Sequence, residues 1–289
     1  MTHTQRTLGA MAVVEDATQV TQAGSWILSG THGSTQVCSL VPNSFEDYAR
    51  IFHPAARKGD ECGPSACALS GPTTGVPLEA QVDDVHWREV RWRDVAEANG
   101  KIAHPAMQWR SIIASHDVDQ GTQPGLWDRA PQRDSLPLRL TCVLCEILAK
   151  FTRSPDRCWC AVWEGYSYMV GLRSDSKLPR LAIWNRPMIV ACGSLSAVPE
   201  KPFTDGYADA QEHLTGWESS ESYRSPSLWW PDDRAWYVAT DVDMQETYVG
   251  ASGPCVNRLL ADERLETMRV TADQDVTWKS DVINRPQSR

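Results

Sequence analysis

The chain has 289 residues, with 28 Lys plus Arg against 37 Asp plus Glu and a formal net charge of −9. A chain of this length buries a substantial core without metal or disulfide staples, and its charge repels phosphate backbones and anionic membrane surfaces, which argues against nucleic acid and membrane as partners. Thirteen tryptophans against four phenylalanines favour a binding surface, because an indole is a large apolar body with one polar atom.

In chain order, residues 1–23 are rich in Thr and Gln with weak periodicity and read as a flexible tail. Residues 24–281 read as one α+β domain, with 118–136 as the place where two lobes would meet, and 282–289 as a C-terminal tail. Trp26-Ile-Leu and Gln36-Val-Cys-Ser-Leu-Val, joined by a Gly-containing turn, have hairpin spacing. Asn43-Ser-Phe-Glu-Asp-Tyr opens a helix with Phe45, Tyr48 and Ile51 on one face. Three stretches, 55–84, 118–134 and 199–227, have the composition of long polar loops.

Val90 to Asn99 is a helix stopped by Gly100, and Met107 to Ser115 a shorter one. Pro137 to Phe151 gives the clearest helical stripe, Leu140, Val143, Leu144, Ile147, Leu148 and Phe151. Strands follow at Cys158 to Trp163, Leu181 to Trp184 and Met188 to Cys192. The chain is organised around Ser225 to Ser252, SPSLWWPDDRAWYVATDVDMQETYVGAS. Pro226 and Pro231 lack an amide proton, so its strand is expected to begin after Arg234, alternating faces as far as Val242. Ser252-Gly-Pro-Cys caps a helix running to about Asp262, and a last strand spans Thr267 to Thr271. Helices and strands interleave without a strict βαβ rhythm, which predicts α+β, a mixed or mainly antiparallel sheet flanked by helices.

An odd number of cysteines, nine, and a short apolar run at Leu8 to Val14 followed at once by Glu15 and Asp16 predict no secretory signal and a reducing cytoplasm. No segment approaches the roughly 20 apolar residues of a bilayer span.

SLVPNSFEDYARIFHPA (Ser39 to Ala55), RWRDVAEANGKIAHP (Arg91 to Pro105), PDRCWCAVWEGY (Pro155 to Tyr166) and the Ser225 to Ser252 stretch resemble the signature blocks of a family of uncharacterised proteins of high-GC Gram-positive bacteria. The blocks are spread over most of the chain after residue 24. The resemblance implies a soluble cytoplasmic bacterial protein and brings no catalytic residue with it.

Four constellations carry candidate chemistry. Asp241-Val-Asp243 is a DxD at a strand end, where some transferases hold Mg²⁺ or Mn²⁺, and a strand would put both carboxylates on one face. No phosphate-cradling loop accompanies it, and strand ends are often acidic for solubility. Cys142 and Cys145 (CxxC) with Cys158 and Cys160 (CxC) supply enough ligands for structural zinc, but their places on the helix and strand suit buried small apolar side chains. Cys62 and Cys67 lie in a loop where they are better placed to react. His53-Pro and His104-Pro follow helical segments and suit the carbonyl end of a helix dipole, while Asp83-Asp-Val-His86 reads as a solvated turn.

Trp229 and Trp230 are neighbours on an extended segment and point to opposite sides. One indole is therefore expected at the surface as a contact anchor, beside Asp232, Asp233 and Arg234, unless a second layer covers both. These features predict a non-catalytic binding or regulatory protein with another protein as partner and no cofactor. The alternative is a metal-dependent transferase or hydrolase using Asp241 and Asp243 with Mg or Mn.

Overall fold

Strands that are apolar on both faces fold only where both faces are covered, and the centre of this chain is built that way. The computed structural model describes residues 6–33, 35–59, 87–113, 121–204 and 223–284. Its strands are β1 (Thr7–Leu8), β2 (Met11–Val13), β3 (Asp47–Phe52), β4 (Ala55–Lys58), β5 (Trp87–Val90) and β6 (Cys158–Trp163). The later ones are β7 (Leu181–Ile183), β8 (Arg186–Gly193), β9 (Leu228–Pro231), β10 (Trp236–Ala239), β11 (Glu246–Ala251) and β12 (Thr267–Val270). The helices are α1 (Ala17–Gly30), α2 (Val37–Leu40), α3 (Trp92–Ala98), α4 (Trp109–Ile112), α5 (Leu138–Leu148), α6 (Val170–Ser174) and α7 (Gly253–Leu260).

Ten strands join in one antiparallel sheet in the order β1-β2-β8-β6-β9-β10-β11-β3-β12, with β7 sharing the outer edge of β8. Side chains alternate across it. Trp229, Trp236, Val238, Val249, Cys158, Cys160 and Ile51 face one layer, where Leu144, Ile147 and Leu148 of α5 and Cys255, Val256 and Leu259 of α7 cover them. Trp159, Trp230, Tyr237 and Tyr248 face the other, under Val20, Ala23 and Ile27 of α1, Val37 and Leu40 of α2, and β7. The fold is thus α+β, three layers with a wholly antiparallel sheet in the middle.

A satellite cluster sits beyond the end of β3, where the antiparallel β4–β5 pair, α3 and α4 enclose Phe52, Trp92, Trp109 and Trp127. Their rings follow one another at 4.9, 5.4 and 5.2 Å. The first turn of α3 has no side-chain cap of its own; the Glu266 carboxylate receives the N–H groups of Trp92 and Arg93 at 2.7 and 2.8 Å instead, satisfying donors that a helix start leaves open.

Several expectations are corrected here. Residues 7–23 are not tail: β1 and β2 pair around Gly9 (φ 62°), and Leu8, Met11, Val13 and Val20 are buried. Asp16 caps α1 by accepting from Thr18 and Gln19 N–H at 2.7 and 3.2 Å, and the Thr and Gln content that suggested a tail lies largely on the helix's solvent side. The expected 26–41 hairpin is the end of α1 followed by α2. Of the expected helical face, Tyr48 and Ile51 lie within β3 and Phe45 just before it, because that spacing over a short apolar run fits either period. Trp229-Trp230-Pro231 is itself strand β9; Pro231 is its last residue, where the missing N–H costs the ladder least.

Residues 282–284 are held in place by a buried Asn284. His53 follows β3 rather than a helix. Between β7 and β8 the turn residues are Trp184 and Asn185, both left-handed (φ 54° and 57°), as a two-residue hairpin requires. Much of the three expected loops, with Cys62, Cys67 and the Asp83 to His86 turn, lies outside the described residues. Among the described residues no helix is long and apolar enough to cross a membrane.

Candidate functional site

Both tryptophans of the Trp229-Trp230 pair are covered, at 0% and 1% exposure. Trp229 meets Trp236 edge-on at 5.5 Å beneath α5, and Trp230 stacks on Tyr237 at 5.9 Å beneath α1. The indole expected at the surface is therefore absent from β9, because the sheet is covered on both faces. Asp233 turns inward and ties the β9–β10 turn to the end of α5, accepting from the Thr152 hydroxyl at 2.8 Å and from Arg153 N–H at 2.7 Å. Burial raises its carboxyl, but these hydrogen bonds outweigh it and leave the group below the ordinary carboxylate range.

Trp230, Asp232 and Arg234 do converge, on a surface pocket of about 110 Å³ completed by Gln19, Gln22 and Ala23 of α1 and by Arg157 and Trp159. Trp159 donates its indole N–H to Asp232 Oδ1 at 2.9 Å.

Asp241 and Asp243 are not on a strand. β10 ends at Ala239, and both lie in the turn to β11, so the two-residue period does not align them. The Asp241 carboxylate is taken up by the Arg186 guanidinium and by Val242 N–H. Asp134 stands nearby in a left-handed conformation (φ 68°), its carboxyl raised to about 6, first by burial and then by the charge of Asp243. Among the described residues no three His, Cys, Asp or Glu gather closely enough to hold a metal ion.

The cysteines pack as small apolar groups. Cys145, Cys158 and Cys160 belong to the core between α5 and the sheet, and Cys142 is exposed. Burial pushes the Cys158 thiol up to about 12 and raises Cys145 and Cys160 too, as expected of thiols packed among apolar side chains.

A second surface was not anticipated. Of the twelve described tryptophans only Trp278 stands in solvent, at 60% exposure, and Ile102, Val282 and Ile283 are each more than half exposed as well. Trp278, Val282 and Ile283 ride on a strap, residues 278–284, laid along residues 102–110, whose first residue is Ile102. Asp281 accepts from Gln108 N–H at 3.2 Å and pairs with His104 Nε2 at 2.9 Å. Ser280 donates to Ala106 O at 3.1 Å, and Asn284 exchanges hydrogen bonds with the Ile102 backbone at 2.9 Å each. The small polar residues of the strap face inward and the large apolar ones outward, the reverse of an ordinary surface loop. Arg110 and Lys279 lie over the Trp278 ring at 4.9 and 5.0 Å.

Set against models of known families, curated proteins and solved structures, the chain matches none.

Proposed function

We propose that this chain is a non-catalytic binding protein whose contact surface is the 278–284 strap, and that its partner is a protein segment carrying apolar and acidic side chains. One observation carries the reading: three large apolar side chains of the strap, one of them an indole, and Ile102 of the segment beneath it are held out into water on backbones joined by partly buried hydrogen bonds. An exposed aromatic on a rigid support loses little entropy on docking and is the usual anchor of an interface. Arg110 beside the ring and Lys101, donating to Asn284 O at 3.4 Å at the far end, put positive charge at both ends of the stripe on a chain of net charge −9, which favours an acidic partner. The setting in this reading is the bacterial cytoplasm, supported by the sequence blocks and by the cysteine usage.

The test is affinity capture from host lysate with wild type, a Trp278→Ala/Ile283→Ser variant and an Arg110→Glu variant, all matched for melting temperature. A partner retained by wild type, lost with the first variant and weakened by the second supports the assignment. Capture that is indifferent to the substitutions, or no captured partner at all, overturns it.

A further inference from the structure

We propose that the pocket between α1 and the β9–β10 turn binds one anionic group, a carboxylate or a phosphate, through Arg157 and Arg234. Its volume, about 110 Å³, is well below the roughly 300–1,000 Å³ of sites that enclose a whole small molecule. It has room for the charged end of a ligand and leaves the remainder outside.

Charge is what selects that end. Two guanidiniums and one carboxylate line the pocket, a local excess of positive charge on a chain of net charge −9. Asp232 is already engaged, accepting from the Trp159 indole at 2.9 Å and lying 3.4 Å from Arg157 Nε. Arg234 has no carboxylate within ion-pair distance among the described residues. Its guanidinium rests 5.3 Å from the Trp26 ring centroid and that of Arg157 5.4 Å from the Trp159 centroid. Stacking restrains both forks; Arg157 turns its Nε toward Asp232 and keeps its Nη groups for a ligand, Arg234 keeps its whole fork, and a planar fork is suited to a carboxylate or phosphate. Gln19 and Gln22, three residues apart on α1, share one helix face and add neutral amide donors.

The backbone supplies an independent sign. The turn is closed by Arg234 N–H donating to Pro231 O at 2.9 Å, with Arg234 left-handed at φ 55°. Such positions usually take Gly or Asn, since a longer side chain is strained there. An arginine held in this conformation, with its side chain at the pocket, is the kind of outlier that marks a ligand contact.

The full-length protein is titrated separately with inorganic phosphate and with acetate at constant ionic strength, following the indole N–H resonances of Trp159 and Trp230 by NMR. Arg157→Gln and Arg234→Gly are titrated alongside; the second relieves the backbone strain and so keeps the turn. The expected result is saturable shifts at these two indoles for at least one anion, with affinity about tenfold weaker in each variant. The stronger of the two anions identifies the group. Binding equal to wild type in both variants, shifts elsewhere only, or no saturable binding of either anion overturns the assignment.

Discussion

Arg50 on β3 and Glu246 on β11 form an ion pair at 2.8 Å with both side chains at 5% exposure or less. Phe52, opposite Glu246 in the ladder, lies under the guanidinium at 4.7 Å, and Arg50 Nη1 donates to Pro105 O and Met107 O at 2.8 and 2.9 Å. One buried cation thus joins the sheet to the 102–110 segment on which the strap is laid.

Removing one partner from such a pair leaves an uncompensated charge out of water. Glu246→Gln is expected to cost about 3–5 kcal/mol of unfolding free energy, whereas Arg50→Met with Glu246→Met costs less than the single change. The double variant does not recover wild-type stability, because the carbonyls of Pro105 and Met107 lose their donor. Urea unfolding of Arg50→Met, Glu246→Met and the double variant, beside Glu246→Gln, measures both the size of the loss and the coupling.

The centre of the fold was legible and its margins were not. α5 declares itself through an unbroken 3.6-residue stripe, β6 through a six-residue apolar run and α7 through a Ser-Gly-Pro start. The Ser225 to Ser252 stretch does hold three adjacent central strands. β1 and β2 are too short to show any period, and α1 exposes Thr and Gln where it faces water. In the β9–β10 turn, Asp232 and Arg234 were visible as a polar cluster beside aromatics. Gln19, Gln22, Arg157 and Trp159 reach the same pocket from other elements, which only the sheet order brings together. Trp278 had one faint signal, apolar residues alternating with Ser280, Asp281 and Asn284, whose meaning depends on which set is buried.

Gly250, the penultimate residue of β11, is a position where no side chain fits. A Cβ there would lie 2.5 Å from Phe45 Cδ2 and 2.6 Å from Val41 Cγ1, both parts of the packing under α2. Gly250→Ala is expected to destabilise by about 1–3 kcal/mol through overpacking, despite the entropy that alanine removes from the unfolded chain. A denaturation midpoint equal to wild type would show that Phe45 yields freely.

His53 sets the acid limit of stability. Its Nδ1–H donates to Gln132 O at 2.7 Å, so Nε2 is the acceptor, taking the Thr247 hydroxyl at 2.9 Å; Thr240 is free to donate to Thr247 in turn at 2.7 Å. Burial lowers its pKa from 6.5 to about 4. The unfolded chain therefore binds a proton that the folded chain refuses, and stability is lost as pH falls from about 6.5 through about 4, by about 3 kcal/mol in all. Chemical unfolding at a series of pH values is expected to show this fall in wild type and a much flatter one in His53→Gln.

Asp134 acts in the opposite sense over nearly the same window. Burial, then the charge of Asp243, with Asp241 adding and Arg224 and Arg133 opposing, raises its carboxyl from 3.8 to about 6. The folded state now holds the extra proton, so this contribution favours folding below pH 3.8 and is lost as pH rises through 6. Full conversion of the displacement gives about 3 kcal/mol, but the side chain is partly exposed, and screening reduces this to about 1 kcal/mol. His53, wholly buried, therefore dominates, and Asp134 only blunts the acid loss. Asparagine suits the left-handed backbone at φ 68° as well as aspartate does. Asp134→Asn is thus expected to gain about 1 kcal/mol at pH 7 to 8 and to steepen the fall between pH 6 and 4. A profile parallel to wild type across that range would assign the loss to His53 alone and leave Asp134 ionised like an ordinary surface carboxylate.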